Sequence, residues 1–376
     1  MSRTLNLSTA ALIISVSCLI GLSLAEDNAP DKPVDPRWSK ERAWKWYNAQ
    51  PWINGCNYLP SYASNSVEFW QADTFDPKTI DKELALAEGV GYNSIHILMQ
   101  YLVWENNPEA YKKRFTQFLE IADKHGLTVM PQFFDNCAFG RQSDPWKRKN
   151  PYLGKQDAPI QGVFFYNWSP SPGHSRVLDK SAWPRLRAYM LDFMKTFKDD
   201  KRIIAWDLYN EPTNGGIGNK TLPLLTEVFK WAREPGVSQP ITAGIWNNNK
   251  AETEIMLAGS DIITFHQYPI PDPERFKETG RPVICTEWMV RIRGKRVIAD
   301  IFAKTLPVLK AKKIGSYSWG LVHGKCQGHF QWGSEPGTPE PKVWFTDIFR
   351  DVEGTPYDPK EIEVIRKVSG VKPERN

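Results

Sequence analysis

The chain is short of the features that mark several large protein classes. No two cysteines sit at zinc-site spacing and no HExxH run occurs, so nothing points to a bound metal. The formal net charge is only +5, with no basic run, which speaks against a nucleic-acid partner. There is no internal repeat and no low-complexity tract. The stretch after the first strand-like run, NGCNYLPS, has no glycine-rich phosphate loop, which argues against a doubly wound nucleotide-binding sheet. Long apolar runs are missing as well. Ala10 to Leu24 spans about 15 residues, where a membrane-spanning helix needs roughly 20.

With Arg3 before it and Ser23-Leu24-Ala25 at its end, residues 1–25 read as a secretory signal peptide cleaved after Ala25. The mature protein is then expected to be secreted or periplasmic, with no membrane partner. Cys18 raises lipidation as a lesser alternative, although Ser15 stands where such signals carry leucine. Residues 26–50 are rich in proline and charge and are expected to form an extended arm or a first covering turn. Residues 51–376 suffice for one large domain, expected to be a monomer. Four cysteines remain after removal of the signal: Cys56, Cys137, Cys285 and Cys326. Cys285 lies in an apolar strand and reads as core, while a Cys56–Cys137 pair stays open.

Aromatic residues are plentiful: 16 Trp, 13 Tyr and 18 Phe. Most belong in a core of this size. Those at strand ends and in long loops are suited to stacking on the flat C–H faces of sugars.

Strand-like runs occur at 52–58, 93–99, 128–134, 203–209, 241–246, 261–267, 282–288 and 314–320. Amphipathic helical runs lie between several of them, at 79–91, 109–126, 181–200, 221–234 and 297–315. This alternation predicts an α/β protein, a closed (β/α)8 TIM barrel. Two loops are long, 136–180 after the third strand and 321–345 after the eighth. The first carries Trp146, Tyr152, Phe164, Phe165, Tyr166 and Trp168; the second carries His323, His329, Trp332 and Trp344. Both are expected to wall a cleft.

Glu211 ends the run IIAWDLYNEP and Glu287 sits in RPVICTEWM, each a lone acid at the end of a strand. In such a barrel the strand C-termini converge on the active face. Two carboxylic acids gathered there are the pair that glycosidic bond cleavage uses. The competing readings are a helix N-terminal acid for Glu211 and an ion-pair partner of Arg291 or Arg293 for Glu287.

Asn210-Glu211-Pro212, with HQY at 266–268, TEW at 286–288 and SWG at 318–320, resembles the retaining glycoside hydrolases of clan A. Family 5 is the nearest, with some likeness to the family 2 barrel. The resemblance spans most of residues 50–350 and makes 51–376 a glycoside hydrolase domain. It implies that Glu211 is the acid/base and Glu287 the nucleophile. It further implies that Asn210 binds a sugar 2-hydroxyl, that His266 and Tyr268 line the site with Tyr268 donating to the nucleophile, and that Trp319 floors a sugar subsite. No cofactor is implied. Where family 5 enzymes usually carry an arginine and a histidine, this chain has Gln100, Asp135 and Asn136. These could be sugar ligands or capping residues. Asn57 and Trp246 are weaker candidates of the same kind. The expected function is a secreted retaining β-glycoside hydrolase acting on a polysaccharide or its oligosaccharides, with carbohydrate as its partner. A non-catalytic carbohydrate-binding barrel is the alternative. A metal-dependent hydrolase would need clustered His and Asp at strand ends, and only His266 clearly sits at one.

Overall fold

The computed structural model describes residues 37–139, 143–147 and 153–371. The expected signal peptide, all of residues 26–36 and Tyr152 fall outside those residues, as does the Trp146 side chain.

Among the described residues ten strands follow in chain order. They are β1 (Asn54–Tyr58), β2 (Ser94–Leu98), β3 (Thr128–Asp135), β4 (Trp206–Asn210), β5 (Ile241–Ile245), β6 (Ile263–His266), β7 (Val283–Trp288), β8 (Ile292–Arg293), β9 (Arg296–Val297) and β10 (Gly315–Trp319). Eight close into a parallel barrel in the order β1-β10-β7-β6-β5-β4-β3-β2. The other two form a small antiparallel hairpin, β8–β9, just after β7. Barrel strands are covered on both faces, which is why they read as near-continuous apolar runs. Nearly all of their residues are buried.

The helices wrap the outside. Two of the longer ones begin with a proline behind a capping side chain. Asp76 accepts from the backbone N–H groups of Lys78 and Thr79 ahead of Pro77–Gly89, and Asn107 from that of Ala110 ahead of Pro108–Lys124.

Residues 39–49 take the covering form of the two expected for 26–50, and not that of an extended arm. Lys40–Asn48 is a helix, capped by the Ser39 hydroxyl. Its Ala43 and Tyr47, with Trp38, pack on Ile53, Met130, Ile204, Ala205, Ile262, Ile284 and Tyr317. This apolar cluster plugs the N-terminal end of the barrel. The expected long loops follow β3 and β10, and they are stitched together. The Gln327 side chain bonds Ile160 O at 2.9 Å and Gly162 N at 3.2 Å, and Phe165 N donates to Cys326 O at 3.0 Å. Cys56, Cys137, Cys285 and Cys326 are all buried and free, so the Cys56–Cys137 pair is not formed.

Candidate active site

The C-terminal end of the barrel opens into a cleft of about 800 Å³. Asn210, Glu211, Trp246, His266, Tyr268, Glu287 and Trp319 all line it.

Glu211 directly follows β4, and its backbone φ is +43°. That left-handed conformation costs a residue with a side chain of order 1–3 kcal/mol. The following turn holds it in place. Thr213 donates its N–H and hydroxyl to the buried Glu252 carboxylate at 3.1 and 2.7 Å. Glu252 belongs to the helix Lys250–Gly259, so the turn is anchored to an element outside the barrel.

Glu287 stands on β7. One carboxylate oxygen of Glu211, one of Glu287 and a ring nitrogen of His266 all lie within 4.8 Å of one another. His266 Nδ1 sits 2.8 Å from Glu211 Oε1 and 3.4 Å from Glu287 Oε2. Burial alone would push the imidazole down, but the Glu287 charge and the hydrogen bond to Glu211 outweigh it and raise it to about 9. The shift favours a protonated ring, which lies between the two carboxyl groups. Gly244 on β5 makes room for it: a Cβ there would fall 2.5 Å from His266 Nε2.

Burial, the largest cause, pushes the Glu287 carboxyl up, and the Glu211 charge adds to this. The His266 charge and hydrogen bonds from Tyr268 and Trp319 oppose the rise. The Tyr268 hydroxyl donates to Glu287 Oε2 at 2.8 Å. Neither competing reading of the two acids is met. Arg291 pairs with Glu361 at 2.6 Å, the Arg293 guanidinium lies over the Trp332 ring, and no helix starts directly at Glu211.

Three expected ligands do not reach the cleft. Asp135 lies behind the wall and accepts from Asn210 Nδ2 at 2.8 Å, Trp168 Nε1 at 2.7 Å and Cys137 N at 2.9 Å. Burial raises its carboxyl to about 6 against those bonds. It orients Asn210 and Trp168. Asn136 bonds Pro212 O at 2.5 Å and Thr221, bracing the turn after Glu211. Gln100 caps the helix Tyr101–Asn106 and bonds Ser66 and Ser169. Asn57 lies deeper in the barrel, in a chain of polar groups. His96 bonds Asn57 Oδ1 at 2.7 Å and Asp207 Oδ2 at 3.1 Å, and Gln132 links Asp207 to Asn210 Oδ1 at 3.3 Å.

The two long loops supply aromatic walls, though not from every residue expected. Phe165 and Trp168 stack at 4.7 Å, and Phe165 reaches Trp319 at 5.1 Å. From the second loop Trp332 and Phe345 line the cleft. His323, His329 and Trp344 instead pack against one another, away from it. Residues not foreseen from the sequence include Cys137 and Asn214. Cys137 Sγ lies 3.4 Å from Glu211 Oε2, and the Asn214 amide donates to that same oxygen. Burial, then the charges of Asp135 and Glu211, hold the Cys137 thiol well above its usual range, so it stays protonated.

No family model matches the sequence, and no curated protein matches it. Solved structures do resemble it. The endo-beta-1,4-mannanase from Thermotoga petrophila superposes with a TM-score of 0.53 at 15% identity, over 86% of this chain and 78% of that one. The GH5_18 protein from Streptomyces cattleya, solved with Manβ1-4GlcNAc, gives a TM-score of 0.56 at 13% identity, over 86% and 82%. A glycoside hydrolase family 5 mannosidase from Rhizomucor miehei gives 0.51 at 11% identity, over 84% and 92%. The chain thus has a (β/α)8 barrel of the kind found in glycoside hydrolase family 5.

Proposed function

We propose that this protein is a retaining β-glycoside hydrolase that acts on a polysaccharide or its oligosaccharides. The observation that carries the reading is the pair Glu211 and Glu287, which meet at one barrel mouth from β4 and β7 with carboxylate oxygens within 4.8 Å. A double displacement uses carboxyls about 5–5.5 Å apart, whereas inversion uses a gap of roughly 6.5–9.5 Å to seat a water. The barrel's likeness to family 5 structures supports the same chemistry.

In the first step a Glu287 oxygen attacks the anomeric carbon. The bond to the leaving oxygen breaks, and Glu211 gives that oxygen its proton. In the second step water attacks the glycosyl ester, its proton passes to Glu211, and the ester bond to Glu287 breaks. Tyr268 and Trp319 hold the attacking carboxylate. Asn210, held by Asp135, bonds the sugar 2-hydroxyl in this reading, and Trp319 and Trp246, which line the cleft, stack on the sugar; both are supported by their positions. A non-catalytic carbohydrate-binding barrel would not need the strained backbone at Glu211 or a buried histidine set between the acids. The apolar run at residues 10–24 and the site after it support export of the chain.

A panel of aryl β-glycosides and β-1,4-linked polysaccharides, mannan first, tests the reading. Proton NMR of the first product should show the β-anomer from a β-linked substrate. A first-formed α-anomer would make Glu287 a general base and end the retaining assignment.

A further inference from the structure

The cleft wall carries cations that catalysis does not use. Apart from the two glutamates, the acids among the described residues that line it are limited to Asp272, against the arginines Arg275 and Arg293. Arg275 is committed to the scaffold, bonding His266 O at 3.2 Å and Asn247 O at 3.4 Å. Arg293 is not. It is exposed, and among the described residues no acid pairs with it. It sits at the turn of the β8–β9 hairpin, directly after the strand that carries Glu287. Lys295 and Arg296 of the same hairpin are also exposed and without an acidic partner among the described residues. Arg291, two residues earlier, shows the contrast, since it is buried and held by Glu361.

The placement of Arg293 is specific. Its guanidinium carbon lies 5.3 Å from the centre of the Trp332 ring. Trp332 is 37% exposed, high for so large an apolar side chain. Its ring is fixed edge-on against Tyr268 at 4.9 Å and Phe345 at 4.9 Å. Tyr268 in turn bonds Glu287. Two aromatic rings therefore separate a solvent-facing guanidinium from the nucleophile. A stacked guanidinium keeps its planar fork of N–H donors free for a carboxylate or sulfate. Aromatic packing limits its motion, so less entropy is lost on binding.

We infer that Arg293, on its Trp332 platform, binds an oxyanion substituent of the sugar chain, so that the enzyme prefers a uronate-bearing or sulfated β-linked polysaccharide over its neutral counterpart. This rests on the glycosidase reading for the direction in which the chain lies. The exposed Lys295 and Arg296 strengthen the local field.

The test is affinity electrophoresis with Glu287→Gln protein, which binds without turnover. The gels contain β-1,4-glucan or β-1,4-mannan, each as carboxymethyl, sulfate and neutral hydroxyethyl derivatives. Retention should be greater in a charged derivative than in the neutral one on at least one backbone, and the carboxymethyl and sulfate arms tell which anion is preferred. Arg293→Ala, added to Glu287→Gln, should weaken retention by the charged polymer about five- to tenfold, the effect of one charge-assisted contact facing solvent. Arg293→Lys should recover part of it, because it keeps the charge and loses the fork. No preference for a charged form on either backbone overturns the inference. So does an equal loss on charged and neutral polymers in Arg293→Ala, or equal retention by single-stranded DNA, which would mean indiscriminate attraction of polyanions. Wild-type turnover of neutral aryl β-glycosides is measured separately. Its absence there and on every neutral and charged polysaccharide of the same panel would sink the glycosidase reading while leaving the binding result to stand or fall alone.

Discussion

The two ends of the barrel are built on opposite principles. At the N-terminal end Trp38, Ala43 and Tyr47 close on Ile53, Met130, Ile204 and Ile284 in an apolar plug. At the C-terminal end the same strands finish in Glu211, His266 and Glu287, three ionisable groups in one cluster. The upper end carries strain at Glu211 and leaves His266 Nε2 buried without a hydrogen-bond partner. Neither feature stabilises the fold. The lower end is closely packed and almost wholly apolar, with the Tyr47 hydroxyl its own unpartnered polar group, and it supplies stability that lets the upper end hold an unfavourable arrangement. Changes at the two ends should therefore separate activity from stability.

The largest separation is expected for Glu287→Gln. The amide cannot form the glycosyl ester, so turnover should fall by about 10⁴-fold or more. The swap is nearly isosteric and relieves a buried carboxyl, so thermal unfolding should shift little. Near-normal activity in folded protein would remove Glu287 from the mechanism.

Next comes Glu211→Ala. Loss of a general acid typically costs about 10²–10⁴-fold, and here that should fall on substrates with poor leaving groups. Activated aryl glycosides need little protonation and should lose far less in their first step. Azide should then rescue the second step and yield a β-glycosyl azide. Equal losses on both substrate types, without an azide effect, would deny Glu211 its role.

The lower end gives the opposite signature. Met130→Ala, in the middle of the plug on β3, should cost about 2–5 kcal/mol of stability through the cavity it leaves. Below the unfolding transition, kcat/KM should change by less than about twofold, because distant sites act independently. Chemical denaturation measures the first quantity and steady-state kinetics the second. A large fall in kcat/KM with little loss of stability would break the division between the two ends.

The sequence disclosed the upper end unevenly. Barrel strands were legible because burial on both faces leaves apolar runs, and an acid at the end of such a run stands out, as Glu211 and Glu287 do. The direction of a side chain beyond a strand end was not legible. Asp135 and Asn136 sit at the right level of the barrel yet turn behind the wall, where they hold Asn210 and Pro212. Cys137 reaches the cleft from one residue further along, and nothing in its surroundings in the sequence signals this. Trp332 and Trp344 belong to one loop, but only the first faces the cleft, since the other is stacked on Tyr357 at 5.3 Å. The helix Lys40–Asn48 was hidden because its apolar face is narrow and its partners lie far away in sequence.

The subtlest effect expected is on the proton balance of the upper end, through Tyr268→Phe. The ring and its packing on Trp332 survive, and only the hydroxyl on Glu287 Oε2 is lost. Glu287 must be ionised to attack. Burial already pushes its carboxyl up, and the Tyr268 hydrogen bond is one of the groups holding it down. Without that donor the carboxyl rises further, so activity is lost at a higher pH as the solution is made more acidic. A hydrogen bond to a charged group contributes about 1.5–3 kcal/mol, but His266 and Trp319 remain, so a displacement of the acidic limb of kcat/KM by about one pH unit is expected. The alkaline limb should stay in place. Tyr268 makes its hydrogen bond to Glu287 and not to Glu211, the acid whose proton the first step spends. The pH profile of kcat/KM decides. A lower plateau with an unmoved acidic limb would make Tyr268 a packing residue and leave ionisation of the nucleophile to His266 and Trp319.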